Sequence, residues 1–134
     1  MCFFVCLALA RKNVHALDTL SRPFEVTDAT DWSIGEATFG SRNRDSSFLV
    51  TTGGCSCFVS GGHHGAGESN LNAFESLIGS LLQEAPCVSF LIHDTRGDMQ
   101  AERVTCKEKR SISFNELSEH FHELHLNVRY VVKN

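Results

Sequence analysis

The chain has 134 residues, 42 % of them apolar and 21 % charged, with a formal net charge of −4. That length suits one domain, 1–134, with a hydrophobic core of its own, so the fold needs no disulfide staple. The negative charge argues against a nucleic-acid backbone as the partner, because phosphate binding needs a basic surface.

The first element, CFFVCLALA (2–10), is apolar throughout and reads as a strand buried on both faces. The opening MCFFVCLALARK lacks the basic n-region of an export signal and its apolar run is short. A reducing, cytoplasmic setting with no membrane partner is therefore expected, and free thiols with it. Val14, Leu17 and Leu20 then fall at helical spacing behind Asn13 as a cap, and Pro23 ends that helix. Residues 24–46 are polar and turn-rich, with short strands expected at FEV (24–26) and EATF (36–39).

SSFLVTT (46–52) is a clear strand, which CSCFVS (55–60) extends past the Gly53-Gly54 pair. GGHHGAGE (61–68) reads as a loop, and it fits neither phosphate-loop signature. NLNAFESLIGSLLQEA (70–85) places Leu71, Phe74, Leu77, Ile78, Leu81 and Leu82 on one helical stripe before Pro86. CVSFLIH (87–93) and MQAERVTC (99–106) flank DTRGD and read as a β-hairpin that sets Cys87 opposite Cys106. Ser113 and Glu116 form a capping box for a short helix, and LNVRYVV (126–132) is the closing strand. The order predicts an α+β fold of two layers. Its sheet is mostly antiparallel, with five or six strands and about three helices packed on one face.

Six cysteines stand at 2, 6, 55, 57, 87 and 106. In an extended segment Cys55 and Cys57 point to one face with Cα atoms about 6.6 Å apart, near the upper limit for a disulfide. Two thiolates on one face can instead share a metal ion. Cys2 and Cys6 would lie about 13 Å apart, so only one of them could join such a site, and Cys2 at the strand end is better placed. His63 and His64 follow the C-x-C and offer a nitrogen ligand. The expected cofactor is zinc, held by Cys2, Cys55, Cys57 and either His63 or His64, in a structural or regulatory site.

Two other classes stay open. One is a protein-binding or self-associating module whose cysteines are core residues. The other is a thiol enzyme using Cys55 or Cys57, which would need a positive charge or a helix N-terminus to form the thiolate. A Cys2 nucleophile activated by its own amine would need Met1 removed, and Phe3 is not the Gly that usually follows. HFHELH (120–125) lacks the i, i+4 histidine pair of H-E-x-x-H, so its histidines are expected to serve a helix C-terminus.

Met1, Cys2, Thr52, Gly54, Cys55 and Cys57 form a pattern that resembles a group of small uncharacterised bacterial proteins, with Met-Cys at the start and a central T-x-G-x-C-x-C. The resemblance implies a bacterial source and one site shared by Cys2 and the C-x-C. It implies no activity.

Overall fold

The computed structural model describes residues 2–19, 24–39, 45–54, 56 and 65–134. Six strands form one mixed sheet: β1 (Cys2–Ala10), β2 (Glu25–Asp28), β3 (Asp45–Thr51), β4 (Cys87–Thr95), β5 (Glu108–Ser113) and β6 (Val128–Lys133). Their order across the sheet is β2-β3-β1-β4-β6-β5. Every neighbouring pair is antiparallel except β5 and β6, which run parallel. Three α-helices complete the α+β architecture: α1 (Ser33–Phe39), α2 (Gly65–Glu84) and α3 (Phe114–His120).

β1 lies at the sheet's interior, and its side chains alternate between two cores. Val5, Leu7 and Leu9 face a large cluster with Phe74, Ile78, Leu81 and Leu82 of α2 and Leu117 of α3. The predicted stripe of α2 is thus its buried stripe, although the Leu71 side chain lies outside what is described. Phe74 is the centre of this core. Its ring meets Phe90 of β4 edge-on at 6.0 Å and Phe121, just after α3, at 5.8 Å, while Phe90 stacks on Tyr130 of β6 at 5.4 Å. Offset and edge-to-face geometries are the favoured ones for aromatic pairs. The capping box of α3 is present as the sequence suggests, with Glu116 N–H donating to Ser113 Oγ at 3.1 Å.

Several local expectations change. The helix after β1 is a 3-10 helix, Arg11–Thr19, and Asn13 lies within it rather than capping it. α2 begins at Gly65, inside the stretch read as loop, because a long packed helix outweighs the propensity cost of Gly65 and Gly67. EATF is not a strand. It belongs to α1, whose Ile34 packs with Cys6, Leu49 and Leu91 on the face of the sheet opposite Phe74. α2 and α3 share one face as expected, and this short helix covers part of the other.

The hairpin of 87–93 with 99–106 does not form. β4 already has β1 on one side and β6 on the other, so no edge is open to 99–106. Cys87 consequently faces Lys133, not Cys106. The segment after β4 leaves the sheet and lays Met99 and Val104 on the second core. Ser33 at the start of α1 fastens it there, accepting the Val104 N–H at 2.8 Å and donating to the Val104 carbonyl at 3.2 Å.

α1 sits so close to the sheet that one position must be glycine. A Cβ on Gly35 would lie 1.8 Å from the Ala29 carbonyl oxygen and 3.2 Å from Ser47 Cβ. The Ser47 hydroxyl donates to the Gly35 carbonyl at 3.0 Å across this contact. Gly35→Ala must push α1 off the sheet, and urea unfolding should show a loss of about 3 kcal/mol. Unchanged stability would mean that α1 is not seated as described.

Candidate functional site

The N-terminal end of β1 gathers the polar groups that stand out from the cores. Cys2 is half-buried, a free thiol, and pairs across the sheet with Thr95. The next residue on that face, Phe4, pairs with His93, and Cys6 follows opposite Leu91. Cys2, Phe4 and Cys6 therefore look out on the α1 side.

Cys6 and Cys2 are chemically unlike. Cys6 is fully buried among Ile34, Leu49 and Leu91. Burial pushes its thiol up to about 12 from the ordinary 9.0, against smaller opposing effects from Thr38, Phe48 and Ser47. It is a small core residue.

Cys55, Cys57, His63 and His64 lie outside the described residues. Their neighbour Ser56 is described, and it is held firmly. β3 ends in a turn at Gly53 and Gly54, whose φ values of 67° and 98° suit glycine. The chain then returns to β1: Ser56 N–H donates to the Phe3 carbonyl at 2.7 Å, and the Val5 N–H donates to Ser56 Oγ at 2.9 Å. The Ser56 hydroxyl in turn donates to the Val50 carbonyl. The middle residue of the C-x-C is thus completely buried and tied to the strand that begins with Cys2. The predicted extension of the β3 strand through 55–60 is described only at this residue. Among the described residues no three or more His, Cys, Asp or Glu side chains come together as a metal site.

A polar cluster that the sequence reading did not single out lies on the same face. His93 is buried, with Nδ1 2.6 Å from Asn127 Oδ1 and Nε2 3.2 Å from Glu102 Oε1. Glu102 also accepts from Thr95 Oγ1 at 3.0 Å. Asn127 has a positive φ of 59°, donates its N–H to the Ile92 carbonyl and accepts from the Lys107 N–H. Both ring nitrogens of His93 are occupied, so the imidazole acts as a clamp. It joins β4 to the irregular 98–107 segment and to the turn before β6. Only the positive φ tolerance of Asn127 could have hinted at this from sequence. Of the histidines at 120–125, His120 lies in the last turn of α3, where the dipole argument expects one, and is exposed 3.2 Å from Glu123.

No helix among the described residues is long and apolar enough to cross a membrane. Comparison with family models, with curated proteins and with solved structures gave no match.

Two outcomes follow from this geometry. His93→Ala leaves Glu102 and Asn127 without their shared partner and should cost about 2 kcal/mol in urea unfolding; a change below about 0.5 kcal/mol would show that the clamp contributes little. In the native protein near pH 8, iodoacetamide should modify Cys2 and spare Cys6, as read by peptide mass mapping. The raised Cys6 pKa also has a definite sign. The unfolded thiol loses its proton first, so the contribution of Cys6 to stability is complete below pH 9 and is lost as pH rises toward 12. Cys6→Ala should flatten that alkaline decline.

Proposed function

We propose that the chain is a small protein with a cysteine-based site at the start of β1, structural or regulatory rather than catalytic. In this reading Cys2, Cys55 and Cys57 hold zinc, and His63 or His64 completes a tetrahedral set. The observation that carries it is the anchoring of Ser56 beside Phe3 and Val5. The residue between the two C-x-C cysteines is fixed within the same few residues of β1 that begin with Cys2. Chain connectivity then keeps each flanking Cα about 3.8 Å from that of Ser56. The half-buried free thiol of Cys2, unlike that of Cys6, is open to a ligand at the strand end.

A second reading, a protein-binding module, draws on the sheet edge. β2 is exposed along its whole length and carries Val26, the most exposed large apolar residue described, at 36 %. Among the described residues β2 is an edge strand of the sheet, and such an edge can add a strand from a partner or from a second copy.

Metal analysis of untagged protein purified under reducing conditions separates the two. The zinc reading expects about one ion per chain, lost together with stability in the Cys55→Ser, Cys57→Ser double variant. Metal-free protein with unreactive thiols and an unperturbed double variant would remove the zinc site and leave the edge-binding module.

A further inference from the structure

Charge is unevenly placed in this acidic chain. β5 and β6, with Lys107 immediately before β5, carry Lys107, Lys109, Arg110, Arg129 and Lys133, five of the chain's 12 basic residues. Of its 16 acidic residues the same stretch holds Glu108 alone. All five cations except the half-buried Arg129 are exposed. Arg110 is matched within its own strand by Glu108, 2.7 Å away. Among the described residues the other four are in no ion pair. Two of them are set against each other. Lys109 lies opposite Arg129 in the register of β5 and β6, so both side chains leave the same face of the sheet. Like charges directly opposite destabilise a sheet, and a negative group beside them relieves the repulsion.

β5 also ends the sheet. Among the described residues no strand pairs with its outer side, so its main chain offers donors and acceptors to an incoming strand. Its side chains alternate. Ile112 packs against the large core, on the side shared by Glu108 and Arg110, while Lys109 and Ser111 leave the other face. Lysine and arginine keep most strands off an edge. They turn away a basic copy of β5 and attract a strand that is itself acidic. A nucleic acid fits this surface less well. Sequence-tolerant binding of single strands uses exposed aromatic rings, and Tyr130, the one aromatic of β5 and β6, is buried.

We propose that β5 is a docking edge for an acidic protein segment, which adds to the sheet as a further strand. Carboxylates at alternate positions lie on the face of Lys109 and Arg129, and the apolar residues between them lie on the face of Ile112. Main-chain bonding supplies affinity and the alternation supplies selectivity. The edge lies at the opposite end of the sheet from β2 and goes beyond both readings given above.

The test uses the full chain with three capped peptides, EVEVEV, KVKVKV and EPEPEP. The last keeps the acidic charge but cannot enter a strand ladder. In an NMR titration EVEVEV should saturate with a Kd below about 1 mM and shift the β5 amides while leaving those of β2 unchanged. The other two peptides should bind at least about tenfold more weakly. Lys109→Glu should weaken EVEVEV binding by at least about tenfold, yet its Tm should hold or rise, since it sets an acid opposite Arg129. The charge-removed pair Lys107→Gln, Lys109→Gln should also weaken binding. The proposal is overturned if EVEVEV does not bind in this range, if EPEPEP or oligothymidine binds as tightly, or if Lys109→Glu binds unchanged.

Discussion

β1 sets the terms for the rest of the molecule. It is nine residues of almost unbroken apolar sequence, paired with β3 on one side and β4 on the other. A strand so placed has no polar face to give to water, so both surfaces of the sheet need cover. The two covers differ because the two faces of β1 differ. Val5, Leu7 and Leu9 are bulky and meet the aromatic core of Phe74, Phe90 and Phe121. Cys6 and Ala8 are small and lie on the α1 side, where α1 packs closely enough that its Gly35 leaves no room for a Cβ beside Ala29 and Ser47. The large face thus takes a long helix, and the small face takes a short one aided by the 98–107 segment.

That segment shows how topology overrides local pattern. MQAERVTC has the length and flanking turn of a hairpin arm. Whether it pairs depends on a free edge of β4, and the sheet order leaves none. Asp98 instead turns the chain, its carboxylate accepting the Gln100 N–H at 3.0 Å, and Val104 is stitched to Ser33. The strand that does form nearby, β5, is EKRSIS, exposed over most of its length. It lies at the sheet edge beside β6, where lysine and arginine discourage pairing with other chains. An edge strand of charged residues carries no alternation of apolar and polar positions, so hydrophobic periodicity passes over it.

What could be read from the sequence was what physical pattern encodes strongly. The continuous run of β1, the stripe of α2, the Ser113–Glu116 box and the β6 strand all carry a signal within one window, and all are present. α1 carries none: seven residues with Gly35 and Thr38 make a poor helix by propensity and form one because Ile34 is buried against Leu49 and Leu91. The cysteine reasoning divided in the same way. Strand periodicity was enough to place Cys2 and Cys6 on one face and to favour the end position. The His93 clamp depends on partners nine and thirty-four residues away, a meeting that only the tertiary fold creates.

The proposed cysteine site lies at an end of this strand, and this follows from the strand's burial. Along the middle of β1, from Val5 to Leu9, the side chains are buried in the two cores and the strand is paired on both sides, which leaves little there for a ligand to meet. Ionisable chemistry is suppressed as well, since the surroundings that make Cys6 a good core residue also keep its thiol protonated to about 12. At the ends the ladder stops. On one side the chain is tied in by Ser56, which bonds to Phe3 and Val5. On the other it turns at once into the 3-10 helix Arg11–Thr19. The interior of the sheet supplies stability, and the places where its hydrogen bonding runs out are where a bound group can replace what the chain itself does not provide.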